Sequence, residues 1–196
     1  MNYSKCLFSV VFLLFCIGLF AGPFGLEMGM SLEDIGGESK KISAESYVFK
    51  TVPKPHSAFA FYFLKIAPKE GLYRVTALGK SIKCGPDGYQ IKIEFNDLKK
   101  ILENNYGKCR VSDRLSRGSA WDESGDWMMS MVMEHRTYAA GWDKEYKESS
   151  LPPDLESIIL GVRATSRNEA SIVLCYDFMN SDSCETEISA EENSAL

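Results

Sequence analysis

The chain has 196 residues, 45% of them hydrophobic and 25% charged, with a formal net charge of −5, 6 cysteines and only 2 histidines. That length suits one compact domain with an adequate hydrophobic core. The negative charge is concentrated in the last residues, and the body has no basic stripe interleaved with aromatics, which argues against a nucleic-acid interface.

The N-terminus opens with a short polar segment carrying Lys5, followed by an apolar run of sixteen residues, Cys6 to Ala21, with a small residue at its exit. This is the pattern of a secretory signal, and it predicts cleavage after Ala21 and export to the periplasm or the exterior. An uncleaved anchor is the alternative, because extension through Pro23 to Leu26 brings the apolar stretch near the roughly 20 residues that span a bilayer. Cys16 follows Phe15 and lacks the small residues that precede a lipid-modified cysteine. Residues 22–181 then form one domain, and the acidic, small and polar residues 182–196 are expected as a flexible tail.

Ser31 and Asp34 stand in capping-box spacing before Gly36 and Gly37, which predicts a short helix carrying Leu32 and Ile35 on one side. The stretch Gly29–Ile35 resembles the opening of the small bacterial envelope proteins of the BamE/SmpA/OmlA group. The resemblance implies an envelope location and a helix start. The chain departs from that group in continuing Gly36-Gly37-Glu38 and in lacking a lipoprotein cysteine.

Strand signals follow at Glu45–Val52, at Ala58–Ile66 and, across a tight turn at Pro68–Gly71, at Leu72–Leu78. Both faces of Ala58–Ile66 are apolar, which predicts a central strand covered on both sides. After the break at Gly85–Gly88, the spacing of Ile91, Phe95, Leu98, Leu102 and Tyr106 predicts an amphipathic helix ending at Gly107. A polar loop, 108–126, leads to WMMSMVMEHR, read as a second helix running from Trp127 to near Gly141. Leu155–Ala164 and Ala170–Phe178 read as a final hairpin. Strands on both sides of a helical block predict an α+β domain, an antiparallel sheet of about five strands with two main helices on one face.

Three chemistries are open. The four cysteines beyond the leader, Cys84, Cys109, Cys175 and Cys184, are an even set in an exported chain and predict two disulfides. Of the three pairings, Cys84 with Cys109 and Cys175 with Cys184 is the most local. On a continuous helix Met128, Met131 and His135 share one face. Thioether and imidazole ligands suit reduced copper, although flexible methionines also fill apolar cores. Finally, Arg114, Arg117, Trp121 and Trp127 are residue types that dominate protein interfaces, and they cluster around the polar loop.

No HExxH, Gly-x-Ser-x-Gly, phosphate-binding glycine loop or dinucleotide fingerprint occurs, and His56 beside Ser57 lies in a proline-braked turn. The expectation is a non-catalytic exported protein without a cofactor that binds a macromolecular partner. One version is an immunity or inhibitor protein against a toxin or wall-degrading enzyme, and periplasmic copper binding is the other alternative.

Overall fold

The computed structural model describes residues 22–194. The leader read at 1–21 lies outside these residues. The chain enters through a single 3₁₀ turn, Pro23–Gly25, then a one-turn helix α1, Leu32–Ile35. Ser31 caps α1 by accepting from the Asp34 N–H, and the Asp34 carboxylate accepts from the Ser31 N–H, so the capping box forms as its spacing implies.

The strands β1 (Ser39–Lys41), β2 (Ser46–Phe49), β3 (Phe59–Ala67) and β4 (Gly71–Gly79) make an antiparallel meander. A two-residue strand β5, Ile82–Lys83, and the helix α2, Tyr89–Tyr106, follow. Then come β6 (Arg110–Leu115), the short helix α3 (Trp127–Val132), β7 (Arg136–Asp143), β8 (Leu155–Ser166), β9 (Glu169–Phe178) and a last helix α4, Ser181–Ser194.

These strands form one nine-stranded sheet in the order β1-β2-β3-β4-β9-β8-β7-β6, with β5 added on β9. The expectation of about five strands and two main helices is therefore corrected. The sheet consists of two four-stranded meanders joined through their last strands, β4 and β9, which pair antiparallel. Each half runs outward from that central pair, giving the sheet an approximate two-fold arrangement that residue-level similarity did not reveal.

The missed strands have physical reasons. β6 is an edge strand with exposed residues from Arg110 to Arg114, so no apolar alternation marks it. For β7, the helical spacing of the methionines ends at Val132. The chain leaves the helix at Met133 and turns through Glu134 at a positive φ of 57°. The later alternation Tyr138, Ala140, Trp142 has the period of a strand and faces the core.

Period-two alternation sorts the sheet into two faces. Tyr62, Leu64, Val75, Ala77, Ile158, Leu160, Leu174 and Tyr176 point to the main core. There α2 packs on β8 and β9, burying Ile91, Phe95, Leu98 and Leu102, while α3 packs on β8 and β7. Each fully buried side chain of this size contributes roughly 1.5–3 kcal/mol before the entropy of ordering is subtracted. At the C-terminus of α2, Trp142 Nε1 donates to the Gly107 carbonyl at 2.8 Å, tying the helix to β7.

The opposite face is largely open. Phe61 is 39% exposed and Ile159 48%, so the expectation that Ala58–Ile66 is covered on both sides does not hold. What covers this face at one end is α4. Ala67 alternates with core Ile66 to face outward, Tyr73 is the extra residue of a β-bulge on β4, and Cys184 packs on both. The residues expected as an acidic tail are thus helical to Ser194. Glu187 fastens the helix by accepting from the Lys69 and Glu70 N–H groups at 2.9 and 3.2 Å.

Candidate functional site

The β7–β8 ladder stops partway along both strands. Its last pair is Ala139 with Gly161. β7 extends back from there to Arg136 paired only with β6, and β8 runs on to Ser166 paired only with β9. Two strand edges, Arg136–Tyr138 and Val162–Thr165, therefore bound a cleft of about 610 Å³ that also contacts Met131, Val132 and Glu134.

The local sequence accounts for the split. Buried Met131 and half-buried Val132 come from α3, which packs against both strands. The reversal at Glu134 is held by the His135 N–H donating to the Ser130 carbonyl at 2.9 Å. Small residues Ala139, Gly161 and Ala164 leave the cleft unfilled, and a Cβ on Gly161 would have only the Tyr138 carbonyl near it, at 3.9 Å.

Arginines surround this end of the sheet. Arg136 is fixed, donating from Nε to Ser130 Oγ at 3.1 Å and from its guanidinium to Asp113. Arg163 lines the cleft, Arg114 lies on β6 opposite Thr137, Arg117 is in the turn after β6, and Arg167 is at the β8–β9 turn. Among the described residues none of these last four is in an ion pair. Glu134 is the carboxylate of the cleft, and Asp113 is neutralised by Arg136. Asp182 and Glu185 of α4, with Asp177, Glu156, Asp143 and Glu145, lie at the opposite end of the sheet together with Arg74, Arg110 and Lys144. Burial pushes the Tyr138 phenol up, and the Asp113 charge adds to it. Burial also lowers Lys92, whose ammonium lies 4.2 Å over the Trp127 ring, against the opposing pull of Asp113 and Asp87.

Of the interface candidates, Arg114 and Arg117 lie at this end of the sheet and are exposed. Trp121 is half-buried in a loop organised by His135. Ser119 Oγ and His135 Nδ1 are 2.9 Å apart, the Trp121 N–H donates to Ser119 Oγ at 3.1 Å, and the Ser116 N–H donates to the His135 carbonyl at 2.7 Å. Trp127 is only 4% exposed, and its ring belongs to the core beside Tyr138, which corrects its reading as an interface residue.

Met128 and Met131 are buried in the same core, while His135 lies beyond the helix and is engaged with Ser119. The shared helical face on which the copper trio depended is therefore absent. No group of three or more His, Cys, Asp or Glu side chains is gathered for a metal ion among the described residues. His56 turns inward on its own loop, its Nδ1 accepting from the Ala58 N–H at 3.2 Å.

Cys84, Cys109, Cys175 and Cys184 are free thiols. Cys84 and Cys109 flank the 18-residue helix α2, whose length at 1.5 Å per residue is about 27 Å, far beyond the roughly 7 Å limit between the Cα atoms of a disulfide. Cys175 accepts from Thr76 Oγ1 at 3.5 Å, whereas Cys184 packs on Tyr73, three positions earlier on β4. Neither expected pairing is formed. Sequence reasoning missed the split because it overlooked β7. The alternation of Tyr138, Ala140 and Trp142, with the small residues between them, was the available signal.

No protein-family model, curated protein or solved structure matches the chain. No helix among the described residues is long and apolar enough to cross a membrane.

Proposed function

We propose that this is a non-catalytic, exported binding protein of the cell envelope, and that its partner is a protein contributing an extended acidic segment to the β7–β8 cleft. The observation that carries this reading is the interrupted ladder, which leaves two strand edges facing each other across about 610 Å³. An unpaired strand edge offers backbone donors and acceptors to an added strand, and pockets for alternate side chains supply selectivity. Arg163, which lines the cleft, and Arg114 and Arg117 on β6 and the turn after it complement negative charge. Export rests on the N-terminal leader pattern, and the lack of a catalytic reading rests on the absence of recognisable catalytic motifs.

The test is binding of extended acidic peptides, scored by fluorescence anisotropy over a range of salt. Micromolar binding that weakens with salt is expected, together with loss of binding in Gly161→Leu, whose side chain would enter the cleft without meeting the core. Arg163→Glu should weaken binding at least tenfold. Binding unchanged in both variants, or no binding by any acidic peptide, would overturn the reading.

A further inference from the structure

The first described residues are built into the fold. The Gly25 and Leu26 N–H groups donate to the Gly22 and Pro23 carbonyls, both at 3.0 Å, closing a tight turn. Pro23 and Leu26 are buried. The Phe24 ring packs edge-on against Phe59, Tyr62 and Tyr176, with centroids 5.5, 5.0 and 5.8 Å away, and the Lys54 N–H donates to its carbonyl at 2.9 Å. Gly22 has no room for a side chain, because a Cβ would collide with the Leu26 carbonyl oxygen. It also lines a recess of about 350 Å³ with Asn104, Asn105, Tyr106 and Asp154. The Asp154 carboxylate is in no ion pair among the described residues.

These contacts bear on how the apolar N-terminus is used. A membrane anchor that borrowed Pro23–Leu26 would have to withdraw Phe24 and Leu26 from the core. Without them the apolar run is sixteen residues, about 24 Å as a helix, against a hydrocarbon thickness of about 30 Å. The same run matches the length and exit residue of a removable leader.

We propose that the chain is cut between Ala21 and Gly22, and that the new Gly22 α-ammonium is held in this recess by the Asp154 carboxylate. Water, acting with a leader-removing peptidase, adds across the Ala21–Gly22 amide. Ala21 departs with a carboxylate, and the Gly22 amine takes up a proton. The cut makes a cation at the wall of the recess that holds Asp154. Processing thus supplies a cation for a carboxylate that is in no ion pair among the described residues.

The experiment uses the full chain produced with its own leader in a bacterial host, with the mature N-terminus determined by sequencing and intact mass. A chain beginning at Gly22 is expected. The α-amine of that product is then titrated by NMR in the wild type and in Asp154→Asn. Its pKa should lie above the 7.7–8.0 of free N-termini in the wild type and fall back toward that range in the variant. Asp154→Glu should restore the wild-type behaviour. A mature N-terminus at any other residue, an uncut chain, or an amine that titrates identically in wild type and Asp154→Asn would overturn the proposal.

Discussion

The Trp127 ring packs against Gly88 so closely that a Cβ on Gly88 would lie 2.2 Å from one ring carbon and 2.5 Å from the next. Gly88 also has a φ of 68°, immediately before α2. The two residues lock the start of α2 to the start of α3, an arrangement reinforced by the Met128 N–H donating to the Pro86 carbonyl at 2.9 Å. Gly88→Ala is expected to cost about 2–4 kcal/mol, combining backbone strain with overpacking. Trp127→Ala should cost about 3–5 kcal/mol through the cavity it leaves. Urea denaturation monitored by circular dichroism measures both, and a stability loss below 1 kcal/mol for Trp127→Ala would return Trp127 to the surface.

The loop holding Arg117 and Trp121 depends on a different pair. Ser119 Oγ bridges His135 Nδ1 and the Trp121 N–H. Ser119→Ala removes both interactions while the main-chain bond from Ser116 to His135 remains, so the expected loss of global stability is only about 1 kcal/mol. The local effect should be larger. Amide hydrogen exchange at Trp121 should accelerate at least tenfold, with β8 and β9 unchanged.

The parts of this fold that were legible in the sequence are those whose burial follows one clean period. Ile91, Phe95, Leu98 and Leu102 mark α2, and Gly107 marks its end. The alternations through β3, β4, β8 and β9 mark the four central strands. The split between β7 and β8 was not legible, because it depends on where a helix of only six residues stops. Helix and strand readings of Met131–Tyr138 share several apolar positions, and the deciding event is a positive φ at Glu134, a residue with no glycine-like signature. Arg114 and Arg117 were picked out by residue type, yet their placement beside a cleft follows from strand pairing about 20–50 residues apart in sequence, which local pattern does not encode.

High pH should loosen the outer-face attachment of α4. Burial pushes the Tyr73 phenol up to about 12, with Glu45 adding to it, and burial pushes the Cys184 thiol up to about 11, with Glu70 adding to it. Both groups hold their protons more tightly in the folded chain than in the unfolded one. Their stabilisation is complete below the unfolded values of 9.0 for the thiol and 10.0 for the phenol, and is lost as pH rises toward the folded values. Urea midpoints should therefore fall between pH 9 and pH 12. Cys184→Ala should flatten the lower part of that decline, and an unchanged pH profile in this variant would exclude the thiol as a contributor.

On the same outer face Arg74 and Asp177 sit opposite each other on β4 and β9 and form an ion pair, with Ser157 Oγ donating to the second Asp177 oxygen at 3.2 Å. Burial lowers the Arg74 pKa, but the hydrogen bond and charge of Asp177 outweigh it, so the net shift is upward. The Asp177 side chain is only 16% exposed, so truncating its partner leaves a poorly hydrated carboxylate at the seam between the two meanders. Arg74→Met is expected to destabilise the fold by about 1–3 kcal/mol. Replacing both residues, Arg74→Met with Asp177→Leu, removes the uncompensated charge and should recover most of that loss, because a buried pair contributes little beyond what an apolar pair of similar size would. A double-mutant cycle by urea denaturation decides the point. Additive losses would show that the two side chains act independently, and a coupling of 1 kcal/mol or more would establish the pair as the polar clasp across the central seam.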